Sequence, residues 1–167
     1  MNLNPFAISG LLTGVSSVLF GLFVYSREPG KKLYRLWLLF ALSVSIWGFG
    51  GFAIGIAQDP NLALFFWRTA YIGVIFVPAL FYHFVVIFLG LLRRHSLILV
   101  YTLSSCFLIA DTTPLLIPGT TWMFDQFYFL YPRGPVYSYF VLYFFIMVIV
   151  SHAELWLFMK KTQDKLK

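Results

Sequence analysis

The stretch "WRTAYIGVIFVPALFYHF", residues 67–84, decides how this chain folds. It is greasy enough to lie in lipid, yet it holds Arg68, Pro78 and His83. Its flanks lengthen it to an apolar run over residues 62–92. A membrane-spanning helix needs roughly 20 mostly apolar residues, so this run reads as one. The whole composition agrees. Of 167 residues, 60% are hydrophobic and 11% charged, with a mean hydropathy of +0.85. A soluble domain carries about 25% charge and about 45–50% apolar residues. The aromatic share of 21% suits a lipid-facing bundle with aromatic belts at its two interfaces.

Working outward, five segments read as spans: residues 6–25, 34–57, 62–92, 97–117 and 136–158. The expected fold is an all-α, polytopic transmembrane bundle over residues 1–160, with a cytoplasmic tail over 161–167. Residues 1–5 carry no positive side chain, and the apolar run after them is too long for a cleaved signal peptide. Cytoplasmic loops are rich in Lys and Arg. Ten of the twelve basic residues fall on one side of this layout: Arg27, Lys31, Lys32, Arg35, Arg93, Arg94 and four lysines after residue 159. The other side has Arg68 and Arg133, with Asp59, Asp111 and Asp125. The N-terminus is therefore expected outside and the C-terminus in the cytoplasm. The net charge of +6 is then a topology signal beside anionic lipid, not a nucleic-acid footprint.

The one long connector, between about residues 111 and 135, is unusually aromatic and has Pro-Gly turn signals. It reads as a cap at the outer interface, with room for a short hairpin or part of a ligand pocket. Gly10 and Gly14 in "GLLTG", and Gly51 and Gly55 in "GFAIG", each lie one turn apart. Such spacing lets helices approach closely, within the chain or between two copies. The single cysteine, Cys106, cannot form an internal disulfide.

Polar groups at membrane depth are costly and usually face the protein interior. Ten residues from Arg93, His83 lies about 15 Å inside the basic boundary, and Arg68 about 22 Å beyond it. Arg68 reads as an interfacial anchor, as a partner for Asp59 or Asp111, or as a trap for an anionic group. Pro78 removes a helical hydrogen bond and offers a hinge. His152 and Glu154 lie at depths similar to His83, so the three form a candidate inner-half switch cluster. No phosphate loop, nucleophile elbow or zinc spacing occurs. "VSHAELW", residues 150–156, superficially looks like a phospho-accepting box but lies in an apolar span. No lysine is mid-membrane to carry a retinal Schiff base. The chain alone is not expected to be an enzyme.

Trp67, Arg68, Tyr71, Gly73, Pro78, His83 and Phe84, with Trp47 and "YPRGPVYSYFVLYF" at residues 131–144, form an ordered set. The set resembles the N-terminal seven-span membrane sensor region of bacterial histidine kinases. The family has seven spans followed by cytoplasmic signalling domains. The chain reads as the first five, either a fragment or a shortened relative that works with a partner. The resemblance implies a multi-pass inner-membrane input module that couples an outer or intramembrane signal to cytoplasmic output. Candidate ligand or signal residues are Arg68, Trp67, Tyr71, Asp111 and Arg133. The partners expected are the bilayer, a second copy, a kinase or other output domain, and an unnamed ligand. No cofactor is expected on this reading. An alternative is a haem-binding electron carrier with His83 and His152 as ligands. A third reading is a structural membrane subunit.

Overall fold

A computed structural model describes residues 4–164. Residues 1–3, at the expected N-terminus, and Lys165 and Lys167, from the basic tail, lie outside the described residues. Five helices follow in chain order: α1 (Pro5–Arg27), α2 (Lys32–Ile56), α3 (Pro60–Phe88), α4 (Arg94–Asp111) and α5 (Tyr137–Asp164). A two-stranded antiparallel hairpin, β1 (Thr120–Met123) and β2 (Phe127–Leu130), sits between the last two. The all-α expectation thus holds for the bundle and gains a hairpin in the long connector.

Helix starts follow local chemistry. Proline opens α1 and α3, where its missing N–H costs nothing. Asn4 Oδ1 accepts from the Ala7 amide at 2.7 Å, and Asp59 Oδ1 accepts from Asn61 and Leu62 at 2.8 and 2.9 Å. Asn4 also ties three elements together: its Nδ2 donates to the Gly55 carbonyl at 2.8 Å and the Gln126 carbonyl at 2.9 Å.

α1 packs on α2 through glycine. A Cβ added at Gly10 would sit 2.5 Å from the Phe52 nitrogen and 2.7 Å from the Gly48 oxygen. One at Gly14 would meet the Phe49 ring at 2.8 Å, and one at Gly55 the Ala7 Cβ at 2.6 Å. These three expected packing glycines therefore lie in a contact within the chain. Gly51 differs: its added Cβ would lie 3.7 Å from Gly10 Cα, an ordinary contact. Gly48, which the small-residue pattern did not single out, is the tighter position.

α3 is the central helix, and α2, α4 and α5 all pack on it. Its buried face carries Trp67, Ala70, Tyr71, Ile75, Ala79, Tyr82 and Val86. The outward faces of α1 and α5 remain apolar, with Leu12, Leu19, Phe20, Leu142, Phe145 and Ile149 exposed. Exposed apolar surface on this scale is a membrane face.

Among the described residues, four helices, α1, α2, α3 and α5, are long and apolar enough to cross a bilayer. The fourth expected span changes most. α4 stops at Asp111, six residues short of position 117, because residues 112–117 turn into the connector. Its 18 residues reach about 27 Å, just under a typical hydrocarbon core of about 30 Å. α4 nonetheless runs the depth of the bundle. It starts beside Arg93, which pairs with Glu154 of α5 at 2.8 Å, and ends under the hairpin.

The hairpin covers the end of the bundle where α1 and α3 begin. Thr120 Oγ1 donates to the Pro60 carbonyl at 3.0 Å, and the Phe127 ring stacks on Phe6 at 4.2 Å. Phe124 and Asp125 turn the chain with φ of 59° and 51°. Asp tolerates this left-handed region, whereas Phe is strained there. Arg27, Lys31, Lys32, Arg35, Arg93, Arg94, Lys160 and Lys161 gather at the opposite, basic end. There Lys31 pairs with Glu28; the hydrogen bond and then the charge of Glu28 raise the Lys31 pKa above its ordinary value.

Candidate functional site

Beneath the hairpin, α3 presents Trp67, Arg68 and Tyr71 to the connector. Trp67 Nε1 donates to the Tyr128 carbonyl at 2.8 Å, and its ring meets Phe129 edge-on at 5.7 Å. Arg68 Nη2 donates to the Ile117 carbonyl at 3.1 Å. Tyr71 Oη donates to Tyr137 Oη of α5 at 3.2 Å. The Arg133 guanidinium lies over the Tyr137 ring at 5.2 Å, within cation–π range. Asp111, the last residue of α4, is 3% exposed and lies within electrostatic reach of Arg68 and Tyr71. The sequence-predicted outer residues thus come together around the ends of three helices. Asp59, the other proposed partner for Arg68, is engaged in capping α3.

Local packing fixes this assembly. Leu116 and Ile117 are fully buried anchors. The Gly134 amide donates to the Leu116 carbonyl at 3.1 Å and the Val136 amide to the Leu115 carbonyl at 3.0 Å. A side chain at Gly134 would collide with the Leu115 backbone, so the "PRGP" turn can lie flat against residues 114–116. Two ionisable groups remain incompletely satisfied. Asp111 Oδ1 and Arg68 Nε are both buried without a hydrogen-bond partner. Leaving such an atom unpaired costs about 1–3 kcal/mol, and more for charge.

A second polar group lies deeper. Ser104 Oγ donates to the Ile75 carbonyl at 3.2 Å and shares a 2.8 Å hydrogen bond with Tyr143 Oη. Tyr143 Oη also reaches the Val100 carbonyl at 3.4 Å. This network joins α3, α4 and α5 one turn before Pro78, which is itself fully buried. Sequence reasoning missed Ser104, Tyr143, Tyr101 and Tyr137. A signal existed on α4, where Ser104 and Asp111 are seven residues apart and so share a face.

The proposed inner cluster separates into three. His83 Nδ1 hydrogen-bonds Tyr101 Oη at 2.9 Å. His152 is exposed, and its Nδ1 bonds the Val148 carbonyl of its own helix at 2.7 Å. Glu154 is taken by Arg93. The His152 ring packs on Phe81 at 5.4 Å. Phe81 and His83, two residues apart, point to nearly opposite sides of α3. His83 and His152 therefore do not face one another, and the haem-ligand reading loses its geometry.

Residues 9–165 match the family described as the N-terminal 7TM region of histidine kinase. The chain belongs to this family. No curated protein and no solved structure matches it. Within this histidine kinase membrane region, several residues behind the resemblance now have physical roles. Trp67 holds the hairpin, and Gly73 leaves no room for a Cβ against the Ser43 carbonyl of α2. Phe84 packs on Trp37 at 5.3 Å, while Trp47 is exposed on the apolar surface.

Proposed function

We propose that the chain is the sensory input module of a histidine kinase in the bacterial inner membrane. On this reading five spans cross the bilayer, with the N-terminus and hairpin outside and the basic end in the cytoplasm. The course of α4 beside α3 supports the fifth crossing, and the segregation of basic residues supports the orientation. The signal acts at the cluster of Arg68, Tyr71, Asp111, Tyr137 and Arg133 beneath the aromatic cap. The observation that carries this is the buried Asp111 Oδ1 and Arg68 Nε, atoms of two ionisable groups without protein hydrogen bonds.

A ligand or a repacking that satisfies these atoms in one state only shifts the balance between states. α4 and α5 meet α3 at this cluster and again at Ser104–Tyr143, so a change beneath the cap alters how α5 sits. Pro78 gives α3 a weak point for that movement. α5 or its continuation then passes the change to cytoplasmic output, in a dimer with a second copy. The test is autophosphorylation in native membranes of the kinase carrying this region, with Asp111→Asn and Arg68→Gln. Removing either charge is expected to move basal output about fivefold or more, the equivalent of about 1 kcal/mol. Unchanged output with normal membrane insertion in both variants would refute the proposal.

A further inference from the structure

At the basic end, an open groove of about 900 Å³ runs between α3 and α4. Its wall is apolar, formed by Val86, Ile87, Leu97 and Ile98, and its mouth carries Lys32, Arg93, Arg94 and His95. Among the described residues no acidic side chain lines it. Arg93 is neutralised by Glu154, but Lys32 and Arg94 have no ion-pair partner among the described residues. The first turns of α2 and α4 both begin here with no side-chain cap and no acidic residue. Basic residues at a helix N-terminus oppose the helix dipole, so both helix starts and their cations are complementary to one anionic group. His83 and Tyr101, hydrogen-bonded to each other, lie deeper along the same groove.

We propose that this groove holds an acidic phospholipid, its phosphate between Lys32 and Arg94 and one acyl chain along Ile87, Leu97 and Ile98. The charge of the mouth selects an anion, and the apolar wall selects a lipid over a free phosphate, which would leave that wall uncovered. Placing the site in the inner leaflet rests on the orientation proposed above. The site itself does not, because it is tested on purified protein.

The experiment is native mass spectrometry of the protein in detergent with phosphatidylglycerol or phosphatidylcholine of the same acyl chains, and separately with inorganic phosphate. One tightly held phosphatidylglycerol is expected, preferred over phosphatidylcholine by at least about tenfold. Lys32→Gln and Arg94→Gln should each lower that preference about fivefold, matching about 1 kcal/mol per basic residue near an anionic surface. Lys160→Gln/Lys161→Gln, equally basic positions on α5 and outside the groove, should leave it unchanged. Acidic lipid should also raise the melting temperature of the unmodified protein more than the neutral lipid does. Equal retention of the two lipids would overturn the proposal. So would equal losses from the α5 variant, retention of phosphate without lipid, or a groove closed by a second copy of the chain.

Discussion

Replacing Gly10 by alanine adds one methyl group where α1 and α2 touch backbone to backbone. The added Cβ would lie 2.5 Å from the Phe52 nitrogen, 2.7 Å from the Gly48 oxygen and 2.8 Å from the Gly51 carbonyl carbon. Ordinary contact begins at 3.4 Å, so the helices must part by about 1 Å, enough to forfeit a quarter to a half of each contact's attraction across the seam. None of these three neighbours is a side chain that can rotate away. Overpacking of this kind costs about 1–3 kcal/mol, and the rigid backbone places Gly10→Ala at the upper end. Gly51→Ala is the control on the facing helix, α2, in the same seam. Its Cβ would meet Gly10 Cα at 3.7 Å and the Phe6 ring at 3.9 Å, so nothing need move. Alanine's better helix propensity, up to about 1 kcal/mol, makes that variant neutral or slightly more stable. Reversible unfolding in mixed micelles measures both. Equal stability of the two variants would refute the reasoning that the seam is set by backbone contact at Gly10.

The His83–Tyr101 pair should behave as an ordinary intramembrane hydrogen bond. Tyr101→Phe and His83→Leu are each expected to cost under about 2 kcal/mol, and a double-mutant cycle should give coupling near the membrane average of about 0.6 kcal/mol. A coupling of zero would place the 2.9 Å contact outside the native state in lipid. The Arg93–Glu154 pair is partly exposed, at 48% and 19%, so Glu154→Gln should cost no more than about 1 kcal/mol and less in high salt. In a Cys106→Ser background, cysteines at Ser26 and Thr162 should resist an impermeant thiol reagent in intact cells, whereas one at Thr120 should react. Labelling at Thr162 in sealed cells would overturn the orientation.

How far the sequence could be read followed from how each force is encoded. Spans are written in uninterrupted apolar length, so α1, α2, α3 and α5 were visible. α4 was blurred because its apolar run continues through Leu115, Leu116 and Ile117, the last two of which are buried as loop anchors rather than helix. The gathering of Arg68, Asp111 and Arg133 at one end of the bundle was legible because charge in an apolar chain is rare and these residues had few places to go. The inner cluster failed for the opposite reason. Depth along a helix can be counted from residue numbers, but the direction each side chain faces depends on packing, which left His152 exposed beside Phe81 and gave Glu154 to Arg93. Ser104 and Tyr143 were hidden because a buried hydroxyl and an exposed one look alike in sequence.

The central claim is that the Arg68–Asp111 cluster under the cap sets how α5 sits at the cytoplasmic end. Spin labels at Phe88 on α3 and Leu157 on α5, both exposed, report that position by pulsed dipolar spectroscopy in lipid bilayers, in the Cys106→Ser background. The account predicts that Asp111→Asn and Arg68→Gln shift the distance distribution between the labels, while Glu28→Gln at the basic end leaves it unchanged. Identical distributions for all three variants and the unmodified chain would contradict the claim that the outer cluster is coupled to output.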